Sequence, residues 1–235
     1  MAGLNSIALY GYPVSNYFNA VRGLLLEKGL EGDYISTSAK SDLDITNKNP
    51  MGKIPFIKTT EGFLSETLPI FEYIETTYPT PRLAPDAAYE RALVRQLMNI
   101  CQVYLEDPLR RLYPGVFMGE QNSSSVIAAS KVTIDRAIGA LEKMVQFSPY
   151  LLGSEITHAD VFAFYIFDIG ERVFRHTYNK SLLETLGGAA DWHRTMVSRN
   201  STQIVLADFE AAFSVYLNSK NAAWIEPKTN GWMYA

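Results

Sequence analysis

Short apolar runs separated by polar turns dominate the first part of the chain. The runs predict these elements in chain order: a strand at 7–10, a helix at 17–29, a strand at 33–36, a polar loop or loose helix at 40–48, hairpin strands at 54–58 and 63–64, and a helix from about Thr67. In the first helix, Phe18, Val21 and Leu24 recur at helical spacing, and Gly29 supplies the stop. This order predicts an α/β sandwich.

Residues 78–85 contain three prolines, which neither a helix nor a central strand accepts. They predict a linker at 79–86 between an N-terminal domain, 1–78, and a C-terminal domain, 87–235. After the linker the pattern is helical throughout, with no further strand. Helices are predicted at 87–111 with a kink at Pro108, 124–147, 157–172, 180–186 and 202–217, followed by an irregular tail at 218–235.

The segment 156–161, ITHADV, has the pattern of a helix start. Thr157 is placed to cap the helix, Asp160 to reach back to it, and Ile156 and Val161 to form a hydrophobic staple. His158 is predicted at the first exposed position and without a catalytic role.

Composition and charge restrict the classes of partner. The net charge of -4 and the pI near 5.5 argue against nucleic acid, whose binders usually have a basic face. The single cysteine, Cys101, precludes an internal disulfide and is predicted to be a small core residue. No apolar run is long enough to span a bilayer, and the N-terminus lacks the pattern of a signal peptide. We therefore expect a soluble, cytoplasmic protein without a membrane partner.

The candidate chemistry begins at Pro55, which interrupts an otherwise continuous strand between Ile54 and Phe56. Proline deletes a ladder hydrogen bond, so the pattern favours an edge or exposed backbone there. A cis Ile54-Pro55 bond would turn the Ile54 backbone outward to pair with an extended peptide. A trans proline that simply begins the strand is the alternative, and the stretch alone leaves both open.

The segment Ser65-Glu66-Thr67 precedes the helix that starts near Thr67. Free N–H groups and the Thr67 hydroxyl favour an anion, while the Glu66 carboxylate favours an ammonium group. The pair suits the carboxylate and amine of an amino acid. Simple helix capping remains the alternative.

Together, NPMGKIP at 49–55, SETLPI at 65–70, the proline linker and ITHADV at 156–161 resemble the cytosolic glutathione S-transferases over almost the whole chain. The resemblance is to the Ser-type classes, theta/zeta-like or a related bacterial or fungal class. It implies a thioredoxin-like N-terminal domain, an all-helical C-terminal domain, a homodimer, and glutathione as co-substrate without a metal.

The resemblance also implies roles for residues. Pro55 takes the place of the family's cis-proline, and the residues implied to contact glutathione are Lys40, Lys53, Ile54, Glu66 and Thr67. The family more often has Ser at Thr67, but the hydroxyl is retained. In family members that use a catalytic Tyr, that residue would fall on Gly11 here. Its neighbours Tyr10 and Tyr12 are expected to point to the other face, so Ser15 is the implied catalytic hydroxyl. Tyr17, Asn16 and Tyr12 remain alternatives. The predicted co-substrate pocket comprises Tyr12, Val14, Tyr104, Arg111, Tyr113 and Phe117.

The implied activity is attack by a glutathione thiolate on an electrophilic, mostly apolar co-substrate, with a role in detoxification. Conjugation, isomerisation and peroxide reduction use the same thiolate and stay open. A non-catalytic protein-interaction module with the same fold is the alternative. Such a module would be expected to lose the residues that bind glutathione, yet Lys53, Glu66 and Thr67 are present. Thiol-disulfide exchange is disfavoured because no cysteine lies near Ser15.

Overall fold

The computed structural model describes residues 7–30, 34–36 (backbone only) and 45–224. The first part contains, in order, β1 Ala8–Gly11, α1 Asn16–Glu27, β2 Tyr34–Ser36, α2 Ile45–Lys48, β3 Phe56–Lys58, β4 Phe63–Ser65 and α3 Thr67–Thr77. The strands form one sheet in the order β2-β1-β3-β4, with β1 parallel to β2 and antiparallel to β3, and β3 antiparallel to β4. The predicted α/β arrangement, including the hairpin through residues 59–62, is confirmed.

Helix α1 joins the two parts of the structure. Its apolar side chains Phe18, Val21 and Leu24 are completely buried, and it packs against α3 on one side and against two helices of the second part on the other. Gly29, at a φ of 66°, ends the turn after the helix as predicted. Because α1 is buried on both sides, its N-terminus has a fixed position in the fold.

The second part is helical. Its elements are α4 Ala88–Ile100, a π-helical segment Cys101–Glu106, α5 Asp107–Arg110, α6 Tyr113–Phe117, α7 Ser124–Leu141, α8 His158–Tyr178, α9 Ala189–Val197 and α10 Asn200–Lys220. Helix α8 is the central element, with every residue from His158 to Phe174 buried. The thioredoxin-like sheet followed by a helical region is therefore present, whereas the division into two independent domains at the linker remains a prediction. Within the described ranges, no helix has the length and hydropathy needed to cross a membrane.

Several predicted helices differ from the structure. Residues 180–186 form turns instead of a helix, because Asn179 ends α8 in the left-handed region and the Leu182 and Leu183 N–H groups donate to the Glu171 carboxylate. Helix α9, which follows Gly188 at a φ of 93°, was missed. Helix α6 was also missed.

Helix boundaries also shift. The predicted helix 124–147 ends at Leu141, where the N–H groups of Lys143 and Met144 bond three residues back instead of four. Helix α8 continues to Tyr178, beyond the predicted residue 172. In place of a simple kink at Pro108, the chain has a π-helical segment in which the Asp107 N–H donates to the Gln102 carbonyl.

The capping box at the start of α8 is confirmed. The Asp160 carboxylate accepts from the Thr157 backbone N–H at 2.8 Å and from the Thr157 hydroxyl at 2.9 Å. It also accepts from the Leu151 N–H and the Trp192 indole, so it joins the helix start to the preceding loop and to α9. These bonds oppose the effect of burial, which raises the pKa of Asp160.

The prediction that His158 is exposed was wrong. Its side chain is buried, contacts the Phe71 ring edge-on, and lies 3.0 Å from the Glu75 carboxylate. Glu75 also accepts from the Lys28 ammonium group at 2.5 Å, and from the backbone N–H groups of Leu83 and Ala84 in the proline linker. One buried carboxylate thus connects α1, α3, the linker and α8.

The pKa of Glu75 reflects these bonds. Burial disfavours its charged form, but hydrogen bonds from His158 and Lys28 outweigh that effect and lower the pKa from 4.5 to about 2. A lowered folded-state pKa means that Glu75 stabilises the fold fully above about pH 4.5 and loses this contribution as the pH falls towards 2.

We expect Glu75→Gln to lower the free energy of unfolding at neutral pH by about 3 kcal/mol, because it leaves the Lys28 charge buried without its counter-charge. Urea denaturation between pH 7 and pH 2 measures this. The difference from wild type should shrink below about pH 4.5. Glu72→Gln, whose carboxylate is 42% exposed and paired with Arg95, is the control and should change stability by less than about 1 kcal/mol. Equal effects of the two substitutions on the free energy of unfolding would contradict the stabilising role of the buried Glu75 carboxylate.

Candidate functional site

A cavity of about 790 Å³ lies between the sheet-containing part and the helices. Its wall includes most of the side chains predicted from the sequence: Tyr12, Val14, Ser15, Lys53, Ile54, Pro55, Glu66, Thr67, Tyr113 and Phe117. These residues come from the loop after β1, the loop before β3, the start of α3, and α6. The tertiary structure therefore brings together segments that are distant in sequence.

Ser15 is the N-cap of α1. Its Oγ accepts from the Phe18 N–H at 3.3 Å, its carbonyl accepts from the Asn19 N–H, and its own N–H donates to the Tyr12 carbonyl. As an acceptor in the cap, the Ser15 hydroxyl keeps its proton available for donation. Ser15 therefore combines a helix cap with a donor in the cavity wall, at the positive end of the α1 dipole.

The two residues after Ser15 face a buried carboxylate. Tyr17 Oη donates to Glu106 at 2.8 Å, and Asn16 Nδ2 donates to the same carboxylate at 3.3 Å. Burial, followed by the charge of Glu106, raises the pKa of Tyr17, so the phenol stays protonated. Of the alternatives to Ser15, Asn16 and Tyr17 thus already bond to Glu106.

The loop before β3 forms part of the cavity wall through Asn49, Lys53, Ile54 and Pro55. The Ile54-Pro55 bond is cis. Asn49, which is buried, donates from Nδ2 to the Lys53 carbonyl at 2.7 Å and accepts from the Met51 N–H at 3.0 Å. Its side chain thereby fixes the loop that leads into Ile54, while the Lys53 side chain remains exposed.

At the start of α3, Glu66 has a φ of 70°, which is uncommon for a residue other than glycine and recurs at functional sites. The N-cap residue of this helix, Glu66, makes no side-chain capping hydrogen bond, so the simple capping that was the alternative prediction is not found at this position. The first N–H groups of α3 and the Thr67 hydroxyl therefore form an anion-binding feature in the cavity wall.

The far side of the cavity is aromatic. Tyr113 and Phe117 pack edge-on with ring centroids 5.2 Å apart, and Phe117 packs on Phe213 of α10. Burial raises the pKa of Tyr113, and its hydroxyl has no hydrogen-bond partner among the described residues. The Tyr113 hydroxyl is thus a protonated donor that is buried behind the cavity wall without a partner among the described residues.

Two predicted residues lie elsewhere. Tyr104 is half-exposed and Arg111 forms an exposed ion pair with Asp107, and neither contributes to the wall of the cavity. Lys40 lies outside the described residues.

Sequence reasoning missed Glu106 and Arg110, which line the cavity next to α1. Each residue that a π-helical turn adds rotates the side chains after it by about 100° around the helix axis. Glu106 and Arg110 therefore face a different direction from the one that a continuous α-helix would give them. A charged pair four residues apart around Pro108 was the available signal, but it does not reveal the direction in which the pair faces.

Cys101 is fully buried in the helical core, as predicted, and burial raises its pKa from 9.0 to about 12. The thiol is therefore protonated and inaccessible, which makes it a poor nucleophile.

Comparisons with known proteins show the family to which the chain is similar. The family profile described as "Glutathione S-transferase, N-terminal domain" matches residues 9–82. A glutathione S-transferase of Pseudomonas putida is 29% identical over 211 residues, which is 90% of this chain and 96% of that protein. A maleylacetoacetate isomerase of Mus musculus is 31% identical over 161 residues, which is 65% of this chain and 73% of that protein.

Solved structures show the same fold. The holo structure of maleyl pyruvate isomerase, described as a bacterial glutathione S-transferase of the zeta class, superposes with a TM-score of 0.69. The superposition covers 84% of this chain and 95% of that chain at 22% identity.

We expect the one thiol of the chain to be unreactive towards a thiol reagent in the native protein at mildly alkaline pH, because its pKa is about 12 and the side chain is buried. After unfolding in guanidinium chloride, one thiol per chain should react. Rapid labelling of the native protein would show that Cys101 is accessible, and would contradict the conclusion that its thiol is a poor nucleophile.

Proposed function

The chain belongs to the glutathione S-transferase family, and we propose that its cavity binds glutathione and holds the sulfur as a thiolate beside Ser15. The protein is a glutathione-dependent enzyme, and transfer of the thiol to an electrophile is the activity that the site supports best. The observation behind this proposal is the single cavity that contains Ser15, the cis Ile54-Pro55 segment and the start of α3.

In the proposed complex, each part of the tripeptide meets a group of suitable chemistry. The γ-glutamyl amine pairs with Glu66, and its carboxylate accepts from Thr67 and the free N–H groups of α3. The Ile54 backbone pairs with the cysteinyl residue in the manner of a short added strand. Lys53 is the cation for the glycyl carboxylate, with Lys40 as a second cation from the sequence.

Ser15 donates a hydrogen bond to the sulfur in this arrangement. A free thiol has a pKa of about 8.5, so only a few per cent is ionised at neutral pH. A donor at the positive end of α1 favours the charged form and lowers that pKa. The Ser15 proton stays on the hydroxyl, since the bond stabilises an anion and no base is needed on the serine.

The co-substrate occupies the aromatic side of the cavity in this proposal. Tyr12, Val14 and Phe117 provide an apolar surface for an electrophile. The Tyr113 hydroxyl is buried and has no partner among the described residues, and once its side chain turns towards the cavity it would donate to the negative charge that develops when the thiolate adds to the co-substrate.

Isomerisation is the second activity to measure. Relatives of this chain are named maleylacetoacetate isomerase, and a thiolate that adds reversibly to a conjugated double bond permits rotation about it before elimination. The same residues would serve both reactions.

We expect Ser15→Ala to raise the pKa of the enzyme-bound thiol by about one unit and to lower kcat/KM by about tenfold to a hundredfold. Thiolate absorbance against pH and turnover of a chromogenic electrophile measure these effects, and retention on immobilised glutathione measures binding. Affinity should change much less than turnover, because the other contacts with glutathione remain.

Ser123→Ala is the matched control, since Ser123 is also an N-cap whose Oγ accepts from a backbone N–H, at the exposed start of α7. Its removal should weaken one helix cap without changing the thiol pKa. Wild-type protein that fails to bind glutathione would overturn the proposed function. An unchanged thiol pKa in Ser15→Ala would overturn only the role of the serine.

We also propose a homodimer that associates through the face formed by β4, α3 and α4. Phe63 on the edge strand β4 and Tyr89 on α4 are 41% and 75% exposed, and a cavity of about 680 Å³ opens between α3 and α4. Exposed apolar side chains around a groove favour association with a second copy. A cytoplasmic location, which the sequence pattern predicts, and a role in detoxification, which the family resemblance implies, remain predictions.

We expect wild-type protein to sediment as a dimer at micromolar concentration and Phe63→Glu to weaken dimerisation at least about tenfold, because a carboxylate would be buried without a partner. Val215→Glu is the control, because Val215 on α10 is 69% exposed and lies outside the proposed face. A monomeric wild type, or equal effects of the two substitutions, would contradict this interface.

A further inference from the structure

Glu106 is a buried charge in the wall of the cavity. Only 2% of the residue is exposed, and it is the last residue of the π-helical segment. A buried carboxylate destabilises a fold unless donors surround it. The hydrogen-bond partners of Glu106 therefore indicate the structural role of this carboxylate.

The first partners are in another part of the structure. Asn16 Nδ2 and Tyr17 Oη donate to the two oxygens of Glu106 at 3.3 and 2.8 Å, across 90 and 89 residues of sequence. Both belong to the first turn of α1, directly after Ser15. A carboxylate of the helical region thus holds the start of the helix that Ser15 caps.

Arg110 completes the network. Its Nε donates to Glu106 at 2.7 Å, and its Nη2 donates to Asn16 Oδ1 at 2.8 Å. The guanidinium lies over the Tyr17 ring at 5.1 Å. The Asn16 carboxamide is consequently held at both ends, and it cannot turn towards a ligand without breaking two hydrogen bonds.

The charges of the network balance. Burial would lower the pKa of Arg110, but the neighbouring Tyr113 and Glu106 outweigh this effect and raise it, so the guanidinium remains charged. Arg110 therefore neutralises Glu106, which would otherwise repel an anion bound near Ser15.

The peptide group between Ser15 and Asn16 links the network to the serine. The Ser15 backbone is already bonded to Tyr12 and Asn19, and a fixed Asn16 side chain restrains the peptide plane on its other side. A donor acts on an anion only when the distance and direction of its hydrogen bond are correct. Restraint of Asn16 therefore restrains the direction from which Ser15 donates.

We propose that Asn16 is a positioning residue for Ser15, held in place by Glu106 and Arg110 from the helical region. The inference rests on the proposed function, in which Ser15 donates to the glutathione sulfur. It adds that contacts from the helical region to the start of α1 contribute to the lowered pKa of the thiol.

The test is a double-mutant cycle read out as the pKa of the enzyme-bound thiol. Asn16→Ala should raise this pKa by about half a unit to one unit relative to wild type. The double variant Ser15→Ala/Asn16→Ala should have the same thiol pKa as Ser15→Ala alone, because Asn16 acts through the serine. A purely structural role would give changes in stability without this coupling.

Asn122→Ala is the matched control. The Asn122 carboxamide is also held at both ends, by the Gly115 N–H and the Leu112 carbonyl, but it lies outside the wall of the cavity. It should change stability and leave the thiol pKa unaltered. Should Asn16→Ala not fold, Glu106→Asp draws the carboxylate away from Asn16 with its charge retained and should raise the thiol pKa in the same direction.

The outcomes separate the two proposals. If Ser15→Ala raises the thiol pKa while Asn16→Ala and Glu106→Asp do not, the positioning role is overturned and the proposed function stands. Additive shifts in the double variant also overturn it, because Asn16 would then act independently of Ser15. If the wild type does not bind glutathione, both proposals fail.

Discussion

A buried carboxylate needs hydrogen-bond donors to replace the water that it has lost. In this structure the donors for two such carboxylates include groups from across the boundary between the sheet-containing part and the helical part. Glu75 takes donors from Lys28, from His158 and from the backbone of the proline linker. Glu106 takes donors from the start of α1. Because removal of one partner from such a group is strongly destabilising, each carboxylate fixes the relative position of the elements it joins.

The location of the cavity follows from this constraint. One wall comes from the loops around the sheet and the other from the π-helical segment, α6 and α10. Neither part alone encloses the space, so the site depends on the docking that Glu75 and Glu106 maintain. The buried apolar side chains of α1 contribute to the packing between the two parts, and the two carboxylates add directional hydrogen bonds to that packing.

Helix α1 serves both packing and chemistry. Its apolar face is buried against α3 and α8, while its N-terminus presents Ser15 to the cavity. A rigid helix places a donor more reproducibly than a flexible loop, which suits a residue whose effect depends on hydrogen-bond geometry. The polar network around Asn16 extends that rigidity to the first turn, where helices otherwise fray.

The sequence by itself determined the elements whose signals are local. Alternation of apolar runs, the glycine after α1, the Thr157/Asp160 capping box and the linker prolines each act within a few residues. The predicted order of strands and helices was confirmed for the sheet-containing part, up to the end of α3. Family motifs also named the residues that the fold brings to the cavity, although their roles there stay predictions. Only the tertiary structure decided the burial of His158, the turns at 180–186 around Glu171, and the orientation of Glu106 and Arg110. Each of these depends on a partner distant in sequence or on a π-helical turn that changes the direction of a side chain. Neither can be predicted from the spacing of residues along the chain.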